Sequence, residues 1–96
     1  MELEKILNAT VEELNEAYMN GTLYEYVCDA LEVEYTINLR GGELIGVKLL
    51  VTFGGPNVYV NTRSVKVEGY ENGAHLEVNL PFDVLREIEN IIIDMI

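Results

Sequence analysis

Hydrophobic and polar residues follow two different periods along the chain. In the first twenty residues, apolar side chains recur three and four positions apart, which is typical of one face of a helix. These side chains belong to Leu3, Ile6, Leu7, Val11, Leu14 and Tyr18. Gly21 then offers the permissive backbone that helix C-termini prefer. The pattern predicts one amphipathic helix from Leu3 to Asn20 and a short second helix from Leu23 to Ala30.

From Glu32 onwards the period becomes two, as in a strand with one buried face. The predicted inward side chains of this strand are Val33, Tyr35, Ile37 and Leu39. Gly41-Gly42 is a two-residue hairpin signal, and a long second strand is expected from Glu43 to Phe53.

Three further strands and a last helix are predicted. Val58 and Val60 indicate a third strand, and Val65 and Val67 a fourth. Asn72-Gly73 is the strongest hairpin signal, since a type I′ turn needs positive φ at both central residues. The last strand has Ala74, Leu76, Val78 and Leu80 as its inward residues, and Pro81 suits the first turn of a C-terminal helix.

This order of elements favours the α+β class. We expect an antiparallel β-meander of about four to five strands, with the N-terminal helices and a C-terminal helix packed on one face. Residues 1–96 are expected to form a single domain, because chains of this length bury one modest core.

The charge excludes two classes of partner. Seventeen acidic residues against six basic ones give a net charge of −11, which opposes direct binding to nucleic acid or to anionic membranes. No apolar run approaches the ~20 residues of a membrane span, and the first residues lack the basic region of a signal peptide. The one cysteine, Cys28, cannot form an internal disulfide. These features predict a cytoplasmic protein.

The chain lacks a recognisable catalytic constellation. It has one histidine, His75, predicted on the surface, and one cysteine, Cys28, predicted to be packed in a helix. Paired Cys or His residues for zinc and an alternating Asp loop for calcium are missing. Glu32 and Glu34 lie ~6.5–7 Å apart on one strand face, a spacing that solvated strands commonly show. We therefore expect no enzyme activity, no metal and no cofactor.

The distribution of charge points to a protein partner. Residues 1–39 carry nine acids and one base, residues 40–67 one acid and four bases, and residues 68–96 seven acids and one base. Spaced carboxylates can occupy a groove that binds phosphates, although an acidic surface can also serve solubility alone. The candidate partner-binding residues are Glu12, Glu13 and Glu16 on the first helix, and Glu32, Glu34, Glu68, Tyr70 and Glu77 on the sheet. Tyr59 is a further candidate for a contact surface.

The C-terminal helix is apolar on more than one side. Its four isoleucines extend beyond a single apolar stripe along the helix, so the helix needs more burial than one sheet provides. They are Ile91, Ile92, Ile93 and Ile96. A homodimer through this helix and a wide contact with the core both fit the pattern.

Several segments resemble a group of short acidic proteins encoded by phages and prophages of Gram-positive bacteria. The resemblance covers residues 44–96 and lies in Gly54 to Thr62, in Val67-Glu68-Gly69-Tyr70, and in Leu80-Pro81 before the terminal helix. Members often carry Trp where this chain has Glu71.

This group includes anti-CRISPR inhibitors, many of which occupy the DNA-binding channels of Cas effectors. The resemblance implies an inhibitor that binds a basic nucleic-acid-handling host protein, with a Cas effector as the expected partner. Two alternatives remain open at this stage. One is a small-ligand binding protein whose Gly54–Asn57 turn and Tyr59 line a pocket, and the other is a dimeric accessory protein.

Overall fold

The computed structural model describes residues 2–96, and within that range the chain forms three helices and five strands. In chain order they are α1 Glu2–Asn20, α2 Leu23–Cys28, β1 Glu32–Ile37, β2 Leu44–Thr52, β3 Asn57–Asn61, β4 Lys66–Glu71, β5 Ala74–Asn79 and α3 Phe82–Met95. The predicted α+β class is therefore confirmed, with five strands and helices at both ends of the chain. The second helix ends at Cys28, slightly before the predicted Ala30.

The five strands form one antiparallel sheet in sequence order. Residues directly opposite each other make rows that cross all five strands, and neighbouring rows point to opposite faces. One row points toward the helices and consists of Val33, Leu49, Val60, Val67 and Val78. The adjacent rows point away from the helices, so one sheet face is covered and the other is open.

The helices bury the covered face. α1 packs against β4 and β5, while α3 packs against β2. The core joins buried leucines of α1, Leu23 and Val27 of α2, and buried residues of α3 to the strand valines. Gly69 on β4 allows α1 to approach closely, since a Cβ there would lie 2.8 Å from a methyl carbon of Leu3 and 2.9 Å from one of Leu7.

One buried hydroxyl connects the sheet to α3. Thr62 is 3% exposed. Its Oγ1 accepts a hydrogen bond from the backbone N–H of Val47 at 2.8 Å and donates one to the carboxylate of Glu89 at 2.8 Å. The Val47 amide, the Thr62 hydroxyl and the Glu89 carboxylate thus form a continuous chain of hydrogen bonds from β2 to α3.

The two hairpin predictions had different outcomes. At Asn72-Gly73, φ is positive at both residues (49° and 79°), and Glu71 pairs with Ala74, as expected of a type I′ turn. The prediction of a two-residue turn at Gly41-Gly42 was wrong, because Ile37 pairs with Leu44 and residues 38–43 connect the strands. The Asn38 side chain accepts a hydrogen bond from the Arg40 amide at 3.0 Å, which stabilises this longer loop.

The prediction that β1 buries one face was also wrong. Every residue of β1 is exposed, including Val33, Tyr35 and Ile37 on the side that faces the helices. β1 is an edge strand, and it has no substantial packing against any of the described helices. Leu39, which was expected to continue the inward face, lies in the loop and is 94% exposed.

Much of the additional apolar surface of α3 is buried in the core. Ile91 and Ile92 are buried, whereas Ile93 and Ile96 are about half exposed. A wide core contact therefore accounts for much of the apolar surface of α3, and the homodimer through this helix stays a prediction. None of the helices described in residues 2–96 combines the length and apolar character needed to cross a membrane.

The hydrogen bonds of Thr62 give a test of the packing between sheet and helix. Thr62→Val keeps the shape but leaves the buried Val47 amide without its acceptor, so we expect a loss of about 1–3 kcal/mol in the free energy of unfolding. Urea unfolding followed by circular dichroism measures this loss. Thr62→Ser keeps the hydroxyl and removes one methyl group, which costs about 1 kcal/mol. A valine variant as stable as the wild type would contradict this role.

Candidate functional site

The open face of the sheet brings five of the eight candidate residues together. Glu32, Glu68 and Glu77 occupy one row, in which Leu50 and Tyr59 lie between the first two glutamates. The next rows on the same face, two residues further along the strands in either direction, contain the other two candidates, Glu34 and Tyr70. The four strand glutamates and Tyr70 therefore share one face, as strand periodicity predicts.

This open face has mixed charge. Lys48 lies directly opposite Glu34, and Lys66 occupies the same row on β4. The ammonium of Lys48 lies 4.4 Å from the centre of the Tyr59 ring, and the ammonium of Lys66 donates to Asn79 at 2.7 Å. Lys48 and Lys66 were not among the predicted site residues, although each lies between two apolar residues in the sequence, a pattern that places them on this face.

The carboxylate of Glu68 is engaged within the protein. Glu68 is only 8% exposed although it points to the open face. It accepts hydrogen bonds from the Ser64 hydroxyl at 3.0 Å and from the Asn61 amide at 3.5 Å. Since both bonds are accepted by Oε2 and the residue has little access to solvent, Glu68 is less available to a binding partner than Glu32, Glu34 or Glu77.

Three aromatic rings form a cluster on the same face. The Tyr59 and Tyr70 rings meet edge to face with centroids 5.9 Å apart, and the Tyr70 and His75 rings stack at 4.5 Å. Burial raises the pKa of Tyr70, and the carboxylates of Glu68 and Glu77 raise it further. Its phenol therefore stays protonated at neutral pH and can donate a hydrogen bond.

The other three candidates lie on the opposite side of the molecule. Glu12, Glu13 and Glu16 are exposed on α1, which packs its apolar face onto the sheet. Glu2 and Glu4 are also exposed on this helix. At 1.5 Å per residue, these five glutamates are distributed over ~21 Å of helix. The eight candidate residues thus form two separate surfaces.

Charge differs strongly between the two layers of the fold. The helices with their flanking residues, 2–31 and 81–96, contain eleven acidic and two basic side chains, a net charge of −9. The sheet with its loops, residues 32–80, contains six acidic and four basic side chains, a net charge of −2. The negative potential is therefore concentrated on the helical side, which favours α1 over the sheet as a surface for a basic partner.

A half-open cleft of about 500 Å³ lies between α1, α2 and the end of β2. Ile6, Ala9 and Val51 give it apolar walls, while Glu13 and Tyr26 are among its polar residues. Burial, together with a smaller effect of the Glu13 charge, raises the pKa of Tyr26 to about 12. The cleft places a neutral phenol beside a carboxylate on the acidic side of the molecule.

The turn proposed for small-ligand binding lines a different cleft of about 420 Å³. Gly54, Gly55 and Asn57 surround it together with Phe53 and Tyr70. Tyr59, which was expected to line this pocket, is not among its lining residues.

The single cysteine and the single histidine lie in different layers. Cys28 ends α2 and is exposed, so the prediction that it would be packed was wrong. His75 is exposed on the open face of the sheet, as predicted, and its Nε2 lies 3.6 Å from Glu77. Within residues 2–96, no cluster of three or more His, Cys, Asp or Glu side chains is arranged to hold a metal ion.

No protein-family model, curated protein or solved structure matches this chain.

The raised pKa of Tyr26 predicts a pH dependence of stability. An unfolded tyrosine ionises near pH 10, whereas folded Tyr26 holds its proton to about pH 12. The stabilisation is therefore complete below pH 10 and is lost as the pH rises to 12, by up to about 2 kcal/mol. Urea unfolding at several pH values measures this loss in the free energy of unfolding. Tyr26→Phe should flatten this part of the profile, and Glu13→Gln should reduce it; an unchanged profile for Tyr26→Phe would contradict the assignment.

Proposed function

We propose that this protein is a non-catalytic inhibitor of the anti-CRISPR type, which binds a basic nucleic-acid-handling protein of a host cell in its cytoplasm. The observation that supports this most strongly is the concentration of charge on the helical layer, with a net charge of −9. The exposed glutamates of α1 form the proposed binding surface, and Glu12, Glu13 and Glu16 are its most closely spaced group.

The geometry of α1 suits a groove that normally binds nucleic acid. Glu12 and Glu16 lie one helical turn apart, about 6 Å along the axis. Phosphates along one strand of B-DNA follow each other every ~3.4 Å of axis. The carboxylates along α1 can therefore neutralise several lysine or arginine side chains in such a groove, in place of phosphates.

The open face of the sheet is a weaker candidate for this role. Two lysines interrupt its glutamates, and Glu68 is buried with its own hydrogen-bond partners. Tyr59 and Tyr70 would add aromatic contact area of the kind common in protein interfaces. We therefore assign the electrostatic contact with the partner to α1. The sheet glutamates Glu32, Glu34 and Glu77 serve as a control surface on the same molecule.

Inhibition of DNA cleavage by a purified Cas9–guide RNA complex tests this proposal. We expect the wild-type protein to bind the complex and block cleavage, and its affinity to fall steeply as salt is raised, because the contact is electrostatic. Replacing Glu12, Glu13 and Glu16 by glutamine should weaken binding by ~10-fold or more. Fluorescence anisotropy with labelled protein measures the affinity.

The matched control replaces Glu32, Glu34 and Glu77 by glutamine, which changes the net charge by the same amount on the other side of the molecule. We expect this variant to bind almost as well as the wild type. A larger loss in the sheet variant than in the helix variant would show that the sheet makes the contact. Absence of both binding and inhibition with Cas9, and with other purified Cas effector complexes tested in the same way, would contradict the proposed function.

A further inference from the structure

The free edge of β1 is the most unusual surface of this fold. Its backbone has a partner strand on one side only, and its side chains are exposed on both faces. Val33, Tyr35 and Ile37 are 40%, 47% and 43% exposed, and Leu31 precedes them at 64%. Edge strands of monomeric proteins are usually protected by charged side chains, especially lysine, by proline or by a covering element. β1 has Glu32 and Glu34 on its open face but neither lysine nor proline, and no described helix packs substantially on its other face. The other edge strand, β5, has one face covered by α1.

We propose that two copies of this chain pair through their β1 strands, antiparallel about a twofold axis, to form one continuous ten-stranded sheet. This inference is independent of the proposed inhibitory function. A twofold interface uses the same surface on both subunits, so β1 must be complementary to itself.

The side-chain pattern of β1 selects one register. Residues opposite each other in an antiparallel pair point to the same face, so apolar residues must face apolar residues. With Tyr35 opposite Tyr35 of the second copy, Val33 faces Ile37 on the covered side. On the open side Glu34 then faces Thr36, and Glu32 faces Asn38. Two neighbouring registers also set apolar residues opposite apolar residues. The one centred on Glu34 sets Glu34 opposite Glu34, which like-charge repulsion disfavours. The one centred on Thr36 pairs only residues 35–37 of β1, whereas the register centred on Tyr35 pairs residues 33–37.

The charges at the two ends of β1 are also complementary. Asp29 and Glu32 lie at its start, whereas Arg40 lies in the loop that follows its end. An antiparallel pair brings the end of one strand to the start of the other. The exposed Arg40 side chain of each copy is thus carried toward the acidic start of β1 in the other copy. This complementarity favours a second copy over an unrelated basic strand, which would have no counterpart for Arg40.

Sedimentation equilibrium from about 5 µM to about 200 µM tests the association. We expect the mass to rise from 10.8 kDa toward twice that value. Salt should strengthen the association, because it screens the repulsion between two copies of charge −11. Tyr35→Lys places two ammonium groups face to face and should weaken association by ~10-fold or more. Tyr24→Lys, which changes an equally exposed tyrosine on α2, should not.

Disulfide formation tests the register directly. In a Cys28→Ser background, Tyr35→Cys sets two thiols opposite each other, with Cα atoms about 4.5–5.5 Å apart, a distance that a disulfide can span. Val33→Cys sets them about 13 Å apart, since each faces Ile37 of the other copy. Rapid oxidative crosslinking of the Tyr35→Cys variant, and little of the Val33→Cys variant, supports the register. Equal crosslinking of the two variants overturns it.

A charge swap tests the proposed contact between strand ends. Arg40→Glu and Arg86→Glu change the net charge equally, but only Arg40 lies beside β1. We expect the Arg40 variant to associate several-fold more weakly than the Arg86 variant, and equal association overturns the end-to-end contact. A monomer at about 200 µM in about 300 mM NaCl overturns the whole proposal. Loss of the dimer in Ile96→Lys, but not in Tyr35→Lys, also overturns the proposal, because α3 would then form the interface.

Discussion

The width of the helical layer limits how much of the sheet this chain can bury. Five strands ~4.8 Å apart form a sheet that is somewhat wider than two helices packed side by side. α1 lies over β4 and β5, and α3 lies over β2. Neither of the two long helices therefore covers β1. The short α2 fills the space between them instead of extending the cover. The exposed edge strand follows from this arrangement, and so does the separation of the helical layer from the open face of the sheet.

Local periodicity was enough to predict the elements but not what covers them. The alternation of Val33, Tyr35 and Ile37 correctly places these residues on the same side of the sheet as the core valines of β2 and β3. Whether that side is buried depends on how far the helices extend across the sheet, which a strand's own sequence does not encode. The β1–β2 loop was mispredicted for a related reason, since the Asn38 side chain stabilises a longer turn than Gly41-Gly42 alone implies.

The candidate site was predicted in its parts but not in its arrangement. Summing charge along the sequence divides the chain into acidic, basic and acidic thirds, whereas the folded protein divides it into helices and sheet. Lys48 and Lys66 belong to the basic third but end on the same face as Glu34. In the sequence, Glu68 cannot be distinguished from the other outward glutamates. In the folded protein, the strand register and the β3–β4 turn bring Asn61 and Ser64 to its carboxylate.

The unequal charge of the two layers also gives the molecule an electric dipole moment perpendicular to the sheet. In the field of a positively charged body such a dipole experiences a torque, which rotates the helical side toward the positive charge while the two molecules are still separated by solvent. Fewer encounters then begin in an unproductive orientation, and association is faster than for a molecule with the same net charge spread evenly. The orientation of the protein is thus selected during its approach, before any side chain makes contact.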